Sequence, residues 1–160
     1  MPVKQMTEKI RYFLERKEFL NAGTCDLSGK PNVAPKFLVA VRGNFIYLAD
    51  YVLGRTYSNL KVNPRISLAT VDMDTLVGYQ INGKAKIIEK GGEYDRLMGG
   101  LRKKTIEYSV SRIIEGVRKE KGHKDFEVNF PERIVVFKVA IEEIVTIYPS
   151  GKLQREQMKP

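Results

Sequence analysis

The chain has 160 residues, of which 42% are aliphatic or aromatic and 29% charged, with a formal net charge of +9. This is the make-up of a folded, water-soluble domain rather than a disordered one, and no apolar run approaches the ~20 residues that a membrane-spanning helix needs. One cysteine, Cys25, and one histidine, His123, exclude an internal disulfide and leave no ligand set for zinc.

From the N-terminus, Met6, Ile10, Phe13 and Leu14 follow helical spacing and predict a helix from about Thr7 to Lys17. The start MPVKQMTEKIRYFLERK is charged throughout and has no apolar middle of the secretory kind, so a cytoplasmic protein is expected. FLNAGTC then reads as a strand, DLSGKPN as a turn, VAPKFLVAV as a second strand and FIYLA as a third. Between the last two, Gly43-Asn44 is a hairpin signal, since both residues tolerate the positive φ of tight turns.

A short polar helix is expected to begin near Thr56 and to end at Asn63-Pro64. ISLATV is a fourth strand, DMDT a turn and VGYQINGKAKII a fifth strand. In that fifth strand Val77, Tyr79, Ile81, Ala85 and Ile87 share one face, and Gly83 marks a bulge or a close backbone approach. Helical spacing returns over about 93–121 in two stripes, and Gly99-Gly100 predicts a bend or two separate helices. A long strand lies within ERIVVFKVAIEEIVTIYP, and a loose polar tail is expected over 150–160. Hairpin-length connections between about six strands predict an antiparallel sheet closed into a small barrel, one domain over 1–149 with the helical insertion at about 93–121.

The chemistry is narrow. His123 sits in the charged stretch RKEKGHKDFE and reads as a solvated residue just past a helix end. Cys25 reads as an inert thiol in an apolar strand. No G-x-S-x-G elbow, Walker A loop or G-x-G-x-x-G occurs, so difficult chemistry would have to come from a cofactor. Gly54-Arg55-Thr56 opens the short helix, and two readings stand side by side there. A phosphate would be welcomed by unpaired amides, a hydroxyl and a guanidinium fork; equally, Thr56 could cap its own helix with Arg55 in solvent. The basic surplus is interleaved with Glu, and the aromatic interleaving of single-strand binders is missing, so a solvated surface is favoured over a nucleic-acid face.

The stretch Phe19–Val71 resembles the FMN-binding split-barrel family, which includes the pyridoxamine 5'-phosphate oxidases. The resemblance rests on the order of a first strand with a Gly-containing turn, GKPNVAP, FIYLA, Arg55-Thr56 and NLKVNPRISLA. It implies a six-stranded antiparallel barrel forming a homodimer, with FMN at each end of the interface. It further implies Arg55 and Thr56 as the phosphate holders, and Pro35, Lys36 and Phe37 as the segment beside the ribityl chain and ring. Ala49, Asp50 and Tyr51 would present backbone to the polar edge of the ring. Lys36 is then a candidate to stabilise anionic reduced flavin, against an outward-facing side chain on an edge strand. The expected activity is electron or hydride transfer from a reduced donor to a small-molecule acceptor. The alternatives are a non-enzymatic FMN electron carrier or flavin sensor and, more distantly, a basic nucleic-acid-binding barrel. The Arg- and His-bearing terminal motif of the vitamin oxidases has no counterpart in YPSGKLQREQMKP, which puts vitamin oxidation in doubt.

Overall fold

The structure is a computed structural model and describes residues 4–51, 53–118 and 133–159. Its elements are α1 (Glu8–Glu15), β1 (Phe19–Cys25), β2 (Pro31–Arg42), β3 (Phe45–Asp50), α2 (Arg55–Val62), β4 (Arg65–Val71), β5 (Gly78–Ile88), α3 (Gly92–Arg118), β6 (Val135–Ile147) and β7 (Leu153–Gln157). The sheet runs β3-β2-β1-β4-β5-β6-β7, and β3 also pairs with β6. That extra pairing closes six antiparallel strands into a barrel, as expected, and leaves β7 as an added strand on the outside of the count.

Period-two alternation decides which side chains fill the barrel. Leu20, Leu38, Ile46, Leu48, Leu68, Ile81 and Phe137 point inward and are at most 1% exposed. Each such side chain contributes on the order of 1.5–3 kcal/mol by leaving water, so the interior alone fixes the register of every strand. Helix α1 adds Ile10 and Leu14 to the same core, and Thr7 caps it by accepting from the Ile10 amide.

Two long strands change partners along their length. β2 pairs with β1 over 31–37 and with β3 over 37–42, so residues 31–36 have one edge without a strand partner. Pro35, which has no N–H to give a ladder, falls in that open half. β6 pairs with β3 through Ala140 and with β7 from Glu143. An extra residue, Glu142, bulges from β6 opposite Asn82 and Gly83. A Cβ on Gly83 would lie 2.1 Å from the Ala140 carbonyl oxygen, so Gly83 is both a bulge partner and a close approach, as its place in the sequence suggested.

The β2–β3 hairpin is built differently from the expectation. Only Gly43 has positive φ (57°); Asn44 does not, and it is buried. Its side-chain oxygen accepts from the Met6 amide at 3.0 Å, and its Nδ2 donates to the carbonyls of Lys4 (3.0 Å) and Lys159 (2.9 Å). Asn44 therefore ties the segment 4–6 and the C-terminal Lys159 to the hairpin instead of supplying turn geometry. The expected loose tail is likewise corrected: 153–157 form β7, and Met158 is buried in the core.

Residues Lys90–Arg133 form a second compact unit. Within it α3 is one continuous helix through Gly99 and Gly100, not two separate helices. His123 and the basic residues Lys119 and Lys121 lie outside the described residues. No described helix is long and apolar enough to cross a membrane.

Gly83→Ala should lower stability by about 1–3 kcal/mol or more, because backbone on β6 must move to admit the methyl. Asn44→Ala should cost about 2–4 kcal/mol, since the buried Met6 amide and two carbonyls lose their partner. Urea unfolding curves of both variants, with unchanged m-values, check these figures.

Candidate functional site

Helix α2 starts one residue earlier than expected. Gly54 is its N-cap and provides no side chain to the first turn, which also contains no acidic residue. The first amide used within the helix is that of Ser58, donating to Gly54 O at 3.2 Å. The amides of Arg55 and Thr56 are thus orphan donors of the kind a helix start leaves, at the positive end of the helix dipole. Arg55 is exposed and has no ion-pair partner among the described residues.

Thr56 does not cap the helix. It is buried, and its Oγ1 accepts from Asn32 Nδ2 at 3.2 Å, which leaves its own O–H to be donated elsewhere. Two further contacts on the same face anchor α2 to the end of the β1–β2 hairpin. Asn59 Nδ2 donates to Thr24 Oγ1 at 3.1 Å, and Asn63 Nδ2 donates to Cys25 O at 3.3 Å and to its Sγ at 3.3 Å. On the apolar side Tyr57 and Leu60 join the barrel core. The helix start is held from both flanks beside the open half of β2. Cys25 serves as an acceptor in this clamp.

Lys36 does not face outward as an exposed edge-strand side chain would. Leu20 faces Lys36 across the β1–β2 ladder and Val135 faces Asp50 across the β3–β6 ladder, and both neighbours are core residues. Lys36 and Asp50 therefore point into the end of the barrel, where Lys36 Nζ lies 2.9 Å from Asp50 Oδ1 with both side chains buried. Asp50 Oδ2 is buried without a hydrogen-bond partner. The ammonium is matched by a carboxylate and is not presented on the outer face. Phe37, by contrast, lies on the outer face with Phe19, its ring 5.6 Å from that of Phe19 and 6.5 Å from that of Tyr51. Ala49, its cross-strand partner, is buried, and Pro35 is exposed. Arg55 and Thr56 thus share one helix start, Phe37 and Tyr51 one aromatic group, and Lys36 and Asp50 one interior pair.

A groove of about 970 Å³ on the outer face of the barrel involves none of these eight residues. Val33, Ile66 and Gly83 are among its walls, with Ser67, Asn82 and Glu143 between them. Ser67 Oγ donates to Asn82 Oδ1 at 2.7 Å, and Asn82 Nδ2 donates to Glu143 Oε2 at 2.7 Å. Gln157 and Arg155 donate to Glu143 Oε1. These hydrogen bonds, that from Asn82 foremost, hold the Glu143 carboxyl below its ordinary pKa. Sequence reasoning missed this cluster. Its one signal was that Ser67, Gln80 and Asn82 occupy the non-core positions of two otherwise apolar strands.

A closed six-stranded barrel with a half-open strand beside an uncapped helix start defines a split-barrel protein. The chain matches the family model described as pyridoxamine 5'-phosphate oxidase over residues 6–147 and belongs to that family. No curated protein sequence matches it. Among solved structures it is similar to HupZ of Group A Streptococcus, at 19% identity, covering 90% of this chain and 95% of that one with a TM-score of 0.62. It is similar to a pyridoxamine 5'-phosphate oxidase-related, FMN-binding protein of Nostoc punctiforme at 11% identity, with both chains covered in full and a TM-score of 0.57. A third similar structure is an F420 reductase, at 17% identity, covering 87% of this chain and 98% of that one with a TM-score of 0.56. At these identities the structures attest the shared fold.

The folded Glu143 carboxyl has a lowered pKa, so its stabilising share is present above the unfolded carboxylate value and is lost as pH falls through the folded one. Glu143→Gln should therefore flatten the acid limb of the stability curve below about pH 4.5. Thermal melts of both proteins between pH 3 and 7 read this out. Asp50→Ala should cost about 3–5 kcal/mol by stranding Lys36 in the barrel, and Lys36→Met with Asp50→Leu should recover most of it. Denaturant midpoints of the single and double variants test that pairing.

Proposed function

We propose that this chain is a homodimeric FMN-binding protein of the cytoplasm that passes electrons or hydride from a reduced donor to a small-molecule acceptor. The observation that carries the reading is the uncapped start of α2, with Arg55 in solvent and the Thr56 hydroxyl free to donate. Two amides, one guanidinium and one hydroxyl are a donor set for a phosphate, and no acidic residue of the first turn opposes it. Family membership over residues 6–147 supports FMN as the phosphate's owner.

When bound, the flavin would supply the hydride and electron transfer. The chain's own part is to bind, orient and shield. Arg55 and Thr56 would take the phosphate, and the clamp from Asn32, Thr24 and Cys25 to α2 means that these donors need no rearrangement to do so. Pro35 and Phe37 would flank the ribityl chain and ring, with the backbone of 49–51 toward its polar edge. Because Lys36 is neutralised by Asp50, the barrel end would offer the ring no net charge. The outer-face groove, with apolar walls and a hydrogen-bonded polar network, suits a surface covered by the second copy in the homodimer. Vitamin oxidation is not proposed, because β7 and the residues after it contain no histidine.

Arg55→Ala with Thr56→Ala should weaken FMN binding by about 10–100-fold, the equivalent of one or two charge-assisted hydrogen bonds, and riboflavin binding much less. Fluorescence titration with both flavins measures this, and equal losses would defeat the phosphate role. The yellow protein should oxidise a nicotinamide or deazaflavin donor. Reduction by dithionite alone would make it a carrier.

A further inference from the structure

Four side chains join α2 to the β1–β2 hairpin through two bonds of the same kind. Thr24 and Asn32 are opposite one another in the β1–β2 ladder, and Thr56 and Asn59 stand three residues apart on one face of α2. Asn59 Nδ2 donates to Thr24 Oγ1 at 3.1 Å, and Asn32 Nδ2 donates to Thr56 Oγ1 at 3.2 Å. The two amide–hydroxyl bonds run in opposite directions. In the first the helix gives a proton to the hairpin; in the second the hairpin gives one to the helix.

The direction decides what Thr56 can do. Its hydroxyl oxygen is taken by the Asn32 amide, so its own proton must turn away from Asn32. Thr56 is 1% exposed, and among the described residues neither that proton nor the Thr56 amide meets an acceptor. Buried donors of this kind call for an acceptor from outside the protein. Asn32 is also more than an anchor for the helix. Asn59 to Thr24 and Asn63 to Cys25 already hold the same face, and Tyr57 and Leu60 sit in the core.

We propose that Asn32 is a positioning residue that keeps the start of α2 a donor-only site, selective for a fully deprotonated phosphate monoester. The inference rests on the phosphate reading of that helix start and adds the residue that sets its polarity. A phosphate dianion accepts from the guanidinium, the amides and the hydroxyl alike. A ligand ending in a hydroxyl brings a proton for which the site has no acceptor, and that unmet donor is the basis of its rejection. Aspartate at position 32 would keep the shape but reverse the bond. Thr56 would then donate to the carboxylate, and a negative charge would stand beside the ligand's own.

The test is fluorescence titration of the full chain with FMN and riboflavin. Asn32→Asp should weaken FMN binding by about 10-fold or more and leave riboflavin within about twofold. Asn32→Ala should cost FMN about 3–10-fold on the native background and nothing further once Thr56→Val has removed the hydroxyl, because both act through one proton. Asn59→Ala, which removes the matching bond, should lower the melting temperature and change both flavins alike. Additive losses at positions 32 and 56, or the same FMN-to-riboflavin ratio in Asn32→Ala and Asn59→Ala, would overturn the proposal. Thermal protection by inorganic phosphate repeats the cycle without flavin. Coupling with phosphate in a protein that takes up no FMN would defeat FMN as the ligand and support the role of Asn32, and no coupling with either anion would end that role.

Discussion

The rest of the molecule depends on β3 being too short to cover β2. β3 ends at Asp50, opposite Val135, so residues 31–36 of β2 pair with β1 alone and only Phe37 is paired on both edges. Unpaired strand edges in a folded domain must be covered, charged or used. Here the open half lies beside α2, whose amide side chains reach the hairpin end and whose start faces outward without a cap. A complete β2–β3 ladder would close the place where the helix docks. The split in the barrel and the candidate site are one feature.

The same fork explains the buried ion pair. Where β3 stops, the barrel interior needs an end, and Lys36 with Asp50 provides it from two adjacent strands. An apolar pair would pack as well, and on general grounds would be no less stable. What the ions add is a neutral but polarisable wall, with a spare acceptor at Asp50 Oδ2 that a buried water can satisfy. Any ligand on the outer face meets that wall through the strand backbone and not through a free charge.

The barrel was legible because its strands alternate cleanly: the apolar set of β5 and the core residues of β1, β3 and β4 point one way without exception. Gly83 was legible for the same reason, being the one break in an otherwise perfect face. The site was half legible. Arg55 and Thr56 announce themselves as a helix start, but nothing local says that Thr56 would be held by Asn32, because that contact spans 24 residues. For Lys36 the outward-facing alternative fails because the phase of the alternation, counted from Leu38, places it inside. β7 escaped because LQREQ is exposed on nearly every position and owes its pairing to the backbone of β6 and the burial of Met158. Gly99 and Gly100 escaped because their cost, about 1 kcal/mol each, is smaller than the gain from the 27-residue helix around them.

Asn44 has a bearing on the order in which the chain acquires its structure. Its contacts reach 38 and 40 residues back and 115 residues forward, so one amide closes loops of very different entropy. The short-range β2–β3 hairpin can form around Gly43 early, with the Asn44 side chain still in water. Its last bond waits for β6 and β7 to be in place. The residue that looks most like part of a turn is therefore fully hydrogen-bonded only when both ends of the barrel sequence have been brought to the same corner.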